Sequence, residues 1–532
     1  MSKADNAQDF SPAGGLLNLG PRDGINDVTK GFKPQNKDID TEALYKEAQS
    51  LFAQKKYQNC VTKINEIFRA NPQHPGAMEL QGLIAMAQFR FETAEIIYRQ
   101  LTEQSPDNPD FKIILGETYL HQSRYAQAES LFSETVSMPL DNGQKAKALF
   151  GLSKAALSLG QLENAQEAIK GALEAAPKNP EILYFYVTFF VRPGENDAQL
   201  IETLKTLLQQ TQNEESRILL SFALSKLLRL TGQDDEAFTA LKSACDAKRK
   251  NIKYNPKEVS QQIDSIINYF SEQAVLKSGL AGIKSERPVF IVAMPRSGTT
   301  LLEQILTTHP EIGSIGESVA LSSIIETNSY LPPKNGQTYP LRPVAQGRFL
   351  PCEAIAHQYN NYLLAEKGPD LKRVINKGMS ARLHVGLIYM MFPNARFIHI
   401  RRNPLDCLLS CYSTNFTGNT QPYSYDLKEL ALFYRDHVRL TRHWENILPQ
   451  ENWLNVSYEE LVSSPESQIR EILSFLGLEW DPACLQAEKS KNQVASASAA
   501  QVRRPVHTQA IGKWMAWEDY IKPLTEELEK DL

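Results

Sequence analysis

Apolar positions between residues 41 and 250 recur at helical spacing in paired segments. From residue 288 they change to short continuous runs separated by amphipathic stretches. In the first region Tyr57 with Cys60, Phe91 with Ala94 and Tyr125 with Ala128 return every 34 residues, and Leu162 with Ala165 follows after a slightly longer interval. A unit such as GAMELQGLIAMAQFRFETAEIIYRQLTEQSPDNP holds two amphipathic segments and closes on Asn-Pro. The small residue three places after the aromatic one lets two helices approach closely. The proline, which cannot continue a helix, is expected to break the second helix before the next unit. AQLIETLKTLLQQ and GQDDEAFTALKSA carry the same pattern, less regularly, to about residue 250.

In the second region PVFIV, RVIN, RFIHI and WLNVS read as strands, each followed by an amphipathic segment, which predicts a parallel sheet with crossover helices. KRKNIKYNPKE and the helical VSQQIDSIINYF bridge the regions. Residues 1–40, rich in Asp, Asn, Gly and Pro without a period, read as a mobile arm. The expected division is therefore an arm (1–40), a helical array (41–250), a helical linker (251–287) and an α/β domain (288–532). The array resembles the tetratricopeptide repeat, whose period is 34 residues. That resemblance implies an all-α solenoid whose curved surface binds a protein, peptide or large substrate and carries no chemistry of its own.

A hydrophobic content of 42%, a charged content of 22% and a net charge of −5 describe a folded chain. They exclude a bulk nucleic-acid or anionic-membrane binder, so any anion site is local. The six cysteines are scattered without Cys-x-x-Cys spacing, which fits a reduced, cytoplasmic setting. Cys407 and Cys411, with no His or acidic partner at ligand spacing, are expected to be core thiols rather than metal ligands. Neither a leader-like N-terminus nor an apolar stretch of about 18 residues is present in this sequence.

The candidate chemistry begins at Met294-Pro295-Arg296-Ser297-Gly298-Thr299-Thr300, between a strand-like run and a helix-like one. Aligned on Gly298, this loop keeps the second glycine and final threonine of a phosphate-binding loop. It has Ala293 for the first glycine and Thr299 for the lysine. Backbone N–H groups and the helix start would still hold an anion. The missing lysine is the group that reaches β- and γ-phosphates, so a ligand without a triphosphate is indicated, with Arg296 supplying positive charge. About a hundred residues on, RFIHIRRNPLDCLLSCYSTNF places Arg402 at a strand end and Ser410 near two turns into a helix, where both can face a second phosphate at the same sheet edge.

These two motifs resemble those of the sulfotransferases that use 3′-phosphoadenosine 5′-phosphosulfate. Arg296 to Thr300 corresponds to their 5′-phosphosulfate loop, and Arg402 to Ser410 to their 3′-phosphate motif. Across about residues 288 to 515 the chain is most similar to the tyrosylprotein branch. HPEIGSIGE then implies Glu317 as catalytic base, INKG implies Lys377 on the transferring sulfuryl group, and VSYEELVSSP gives Tyr458 a nucleotide contact. SAAQVRRPVHTQAIGKW implies Ser498 and Lys513 as further donor-holding residues, Ser498 also stabilising charge in transfer. This chain has Thr414 where that branch has an arginine, and Asn403-Pro404 is more like cytosolic and carbohydrate enzymes, so protein tyrosine, a saccharide and another alcohol all remain open as acceptor. The scheme implies the donor as co-substrate and requires no metal. A P-loop nucleotide kinase and an inactive repeat scaffold are the alternatives. The irregular segment 327–350 is expected to be a lid, His309 to pack under a helix end, and Trp514 and Trp517 to anchor the last segment in the core.

Overall fold

A computed structural model describes residues 40–192, 194, 197–270, 282–328, 352–418, 420–490 and 505–530. The expected N-terminal arm except Asp40, nearly all of the expected lid, and Ser498 lie outside these residues. The described chain forms two compact units, 40–250 and 251–490 with 505–530. Among the described residues no helix is long and apolar enough to cross a membrane.

The first unit is a run of antiparallel helical pairs: α1 (Thr41–Ala53) with α2 (Tyr57–Ala70), α3 (Pro75–Ala87) with α4 (Phe91–Gln104), α5 (Pro109–His121) with α6 (Tyr125–Val136), and α7 (Asn142–Leu159) with α8 (Leu162–Ala175). It continues through α9 (Pro180–Phe189), α10 (Asp197–Gln210), α11 (Glu214–Leu230) and α12 (Asp234–Lys250). The small residues Cys60, Ala94, Ala128 and Ala165 are fully buried, as the close approach of paired helices requires. A second small position does similar work: a Cβ on Gly82 or Gly116 would stand 2.6 Å from the ring of Tyr98 or Phe132 on the partner helix. Lys55, Phe89 and Ser123 adopt left-handed φ of 57°, 58° and 59° at the same point of successive pairs, turning the chain between the two helices.

In two of its three places in the array Asn-Pro works differently from the expectation. Asn108 and Asn179 are N-caps of α5 and α9, and Pro109 and Pro180 occupy the first turns. Asn108 accepts from the Asp110 N–H at 3.0 Å. At these two places the dipeptide starts the next helix, because a first-turn proline loses no helical hydrogen bond and its φ is already helical, whereas Asn71 is the C-cap of α2 and Asn71-Pro72 ends that helix as expected.

The second unit opens with α13 (Pro256–Tyr269), from the expected linker. Ile263 and Ile266 enter the α/β core, and Ser260 donates to the Asp436 carboxylate at 2.6 Å. There follow β1 (Pro288–Val292), α14 (Thr299–Leu306), β2 (Ile312–Ser314), α15 (Ala320–Asn328), α16 (Cys352–Lys367), β3 (Arg373–Asn376), α17 (Ala381–Met391), β4 (Arg396–Arg401) and α18 (Pro404–Tyr412). The unit closes with α19 (Leu427–Ile447), β5 (Trp453–Ser457), α20 (Tyr458–Ser463), α21 (Pro465–Phe475) and α22 (Lys522–Glu529). The sheet is parallel throughout in the order β2-β3-β1-β4-β5.

Alternate residues of β1 enter opposite cores. Phe290 and Val292 face one layer, built with α13, α16, α17 and α19, while Val289 and Ile291 face the other, built with α14, α20 and α21. The period of two in a strand buried on both sides produces this three-layer architecture. β2 escaped the sequence reading because three residues show no alternation.

Candidate functional site

Every strand of the sheet runs directly into a residue singled out from the sequence. The loop 293–298 follows β1, Glu317 comes shortly after β2, Lys377 follows β3, Arg402 follows β4, and Tyr458 follows β5. In a parallel sheet this gathers residues far apart in sequence at one carboxyl edge.

The β1 loop is shaped by two left-handed residues, Arg296 at φ 68° and Gly298 at φ 102°. Gly298 is required twice over, since a Cβ there would also lie 2.5 Å from Tyr458 Cδ2. Ser297 closes the turn by donating to the Met294 carbonyl at 2.7 Å. From behind, the Cys407 and Cys411 thiols donate to the Pro295 carbonyl at 3.2 and 3.3 Å. Burial pushes the Cys411 thiol well up, so it stays a neutral donor. The core thiols thus brace the loop.

Arg296 Nε donates to Ser410 Oγ at 3.0 Å. Arg402 donates to the Arg296 carbonyl at 2.9 Å and the Ala510 carbonyl at 2.6 Å, with its guanidinium 4.7 Å from the Tyr458 ring centre. Its Nε is buried without a hydrogen-bond partner among the described residues. Burial, with the Arg402 charge adding to it, depresses the Arg296 basicity. Two part-buried guanidiniums this close together favour an anion beside them.

Asn403 caps α18 through the N–H groups of Leu405 and Asp406, and its own N–H donates to Glu459 at 2.8 Å. The buried Asp406 carboxylate accepts from the Gly512 and Trp514 N–H groups at 2.7 and 3.1 Å. That clamp holds the exposed Lys513, which lies between them, next to the second motif.

Lys377 forms a second cluster. Its side chain is 6% exposed, its Nζ donates to Glu317 Oε1 at 2.8 Å, and it stands 3.5 Å from Glu303 Oε2. The Lys377 N–H reaches the Gly316 carbonyl at 2.9 Å, drawing the end of β3 against the turn that carries Glu317. Burial would lower the lysine, but Glu303 and then Glu317 outweigh it and hold it above its usual range. Burial also raises the Glu303 carboxyl, against the pull of Lys377 and a hydrogen bond from Ser314. Glu317 is about half exposed, at 51%, and so faces outward from the lysine.

Residues 288–482 match the sulfotransferase family, and residues 45–109, 85–149 and 146–179 match tetratricopeptide repeats. The second unit carries a sulfotransferase-family domain. A protein of Aquifex aeolicus (strain VF5) with no assigned function is 30% identical over 440 residues, covering 80% of this chain and 56% of that one. A protein-tyrosine sulfotransferase of Drosophila melanogaster is 26% identical over 273 residues, covering 48% of this chain and 52% of its own. The chain therefore spans about half the length of these relatives. The sulfotransferase domain of the Synechococcus PCC 7002 olefin synthase aligns at 23% identity with a TM-score of 0.32, over 44% of this chain and 89% of that one.

Within the sulfotransferase domain, Arg296, Ser297, Gly298, Arg402, Ser410 and Tyr458 are joined by the contacts above, with Thr299 and Thr300 opening α14 beside them. Lys377 and Glu317 pair separately, and α14 links the clusters because it starts at the loop and carries Glu303. Lys377 is buried, and Glu317 lies three residues before α15. His309 packs as expected, with Nε2 3.1 Å from the Glu479 carbonyl and Nδ1 accepting from the Glu311 N–H. Trp517 is buried, but Trp514 is only half-buried, because Asp406 holds its backbone and leaves the indole outside the core.

Asp406 and Glu303 were missed. Asp406 stood in the quoted second motif with no partner legible nearby in sequence. Glu303 left a signal, a carboxylate inside the apolar helix start TTLLEQIL. A cavity of about 340 Å³ lies at the other end of the sheet, where β1 and β3 begin, and is lined in part by Arg287, Lys372 and Arg373. Glu311 pairs with Lys372, Glu286 with Arg373, and the Gly368 carbonyl with Arg287, so it is built unlike the strand-end cluster.

Proposed function

We propose that the chain transfers a sulfuryl group from 3′-phosphoadenosine 5′-phosphosulfate to a hydroxyl acceptor. The observation that carries this reading is the meeting of the two motifs, 114 residues apart, through Arg296 and Ser410. The buried, unsatisfied Arg402 Nε and the Gly298 cradle both suit a phosphate oxygen approaching backbone N–H groups. The donor, when bound, supplies the sulfuryl group and leaves as the bisphosphate.

Arg296 and the N–H groups from Ser297 to Thr300, at the positive end of α14, hold the 5′ group. Arg402 and Ser410 hold the 3′-phosphate, with Tyr458 against the nucleotide and Lys513 at the rim. Glu317 takes the proton of the acceptor hydroxyl. Lys377, Arg296 and Ser498 stabilise charge that develops in transfer. The repeats recognise a protein or other large acceptor in the cytoplasm.

Calorimetry with 3′-phosphoadenosine 5′-phosphate and with ATP tests the proposal. The bisphosphate should bind at least about tenfold more tightly than ATP. Arg402→Ala should lose roughly ten- to a hundredfold for the bisphosphate, the worth of a charge-assisted hydrogen bond, and little for adenosine 5′-phosphate. Preference for ATP would return the domain to the kinase reading. Equal losses for both ligands would show that Arg402 does not read the 3′ group.

A further inference from the structure

Glu303 has no part in the scheme above, yet it is a buried carboxylate at the strand-end edge. Its side chain is 8% exposed, it lies on α14 one turn beyond the phosphate loop, and Ser314 at the end of β2 donates to it. Ser314 also accepts from the Gly316 N–H at 2.9 Å, fixing the turn that presents Glu317. Glu303 and Glu317 thus both face the Lys377 ammonium, at 3.5 and 2.8 Å. A buried carboxylate is costly to desolvate and is retained where a partner offsets the cost; here that partner is a lysine as dry as itself.

We infer that Glu303 is a positioning residue for sulfuryl transfer, one that holds the Lys377 ammonium charged and aimed at the transferring group. The inference rests on the proposed reaction. The two carboxylates have different work because their exposures differ. Glu317 is half exposed and gives up its negative charge when it accepts a proton from the acceptor. When it does so the lysine would lose a counter-charge in a buried place, the change that most favours its deprotonation. Glu303 stays, clamped by Ser314, and keeps the lysine cationic. The charged groups facing Lys377 are Glu303 from α14 and Glu317 from the turn after β2, and these two carboxylates set its high basicity.

The test is the pH dependence of kcat for the full-length Glu303→Gln protein, with 3′-phosphoadenosine 5′-phosphosulfate as donor and a phenol as acceptor. Glutamine keeps the volume and can still accept from Ser314 but carries no charge. The alkaline limb, where Lys377 loses its proton, should move down by at least about one pH unit. At a pH about one unit above the variant's own alkaline midpoint kcat should be roughly tenfold below its plateau, while bisphosphate affinity stays within about twofold. A lowered kcat with an unmoved limb would mean that Glu303 merely packs, and would overturn the inference. The second measurement adds Glu303→Gln to Lys377→Met: with no ammonium to hold, the added change should cost nothing further, whereas an additive loss also overturns the inference. Wild-type protein that binds the bisphosphate but transfers nothing to any phenol or alcohol would instead sink the proposed reaction.

Discussion

At the scale of single residues, Glu317 and Lys377 share one hydrogen bond but should fail differently. Glu317→Gln keeps the shape and loses the basic lone pair, which typically costs about 10²- to 10⁴-fold in turnover. An acidic phenol needs less help in losing its proton than an aliphatic alcohol, so acidic acceptors should partly rescue this variant. Lys377→Ala removes charge stabilisation from every acceptor alike and should not be rescued. Turnover against a series of acceptors of graded acidity separates the two. If Glu317→Gln matches the wild type on all of them, Glu317 is not the base. Glu303 was hidden at this scale because a single carboxylate in an apolar helix start does not name its partner: Lys377 is 74 residues away and meets it only when β3 lies beside β1.

At the scale of elements, the paired helices depend on missing side chains as much as on present ones. Gly116 of α5 faces the Phe132 ring of α6 so closely that a Cβ would overlap it. Phe132 is fully buried and has no room to retreat. Gly116→Val should therefore destabilise the repeat unit by about 1 to 3 kcal/mol through overpacking. Urea unfolding followed by far-ultraviolet circular dichroism would read this as a lower midpoint with an unchanged slope. An unchanged midpoint would show that the helices separate at no cost. The 34-residue period was legible because each pair repeats the same local contacts. The role of Asn-Pro was not, because the dipeptide lies between two helices and the sequence does not say which one it serves.

At the scale of the molecule, the described α/β unit buries four histidines, and three of them bear on its pH dependence. Burial pushes His384 and His399 down to about 4 and takes His437 well below its usual range. Their ordinary value is 6.5, so between pH 6.5 and about 4 the unfolded chain binds protons that the folded chain refuses. Stability must fall as pH drops through that window and level off above it, by up to about 1.4 kcal/mol per pH unit for each histidine. Thermal melts from pH 7.5 to 5 should show the decline, and His399→Gln should flatten part of it. A midpoint insensitive to pH across that range would contradict the burial of these rings.

Local sequence determined what depends on neighbours along the chain: the helical period, the runs that form β1, β3, β4 and β5, the loop whose left-handed Gly298 lets a backbone come close, and the type of residue at each strand end. Contacts between distant segments were decided only by the tertiary structure. The sheet order placed the β1 loop between β3 and β4, so that Arg296 meets Ser410 and Arg402. Asp406 found its partners in the Gly512 and Trp514 N–H groups, over a hundred residues on. Glu303 became half of a buried pair with Lys377. A hydrogen bond or ion pair needs two partners within about 3 to 4 Å, and spacing along a chain fixes that distance only within a helix, strand or turn.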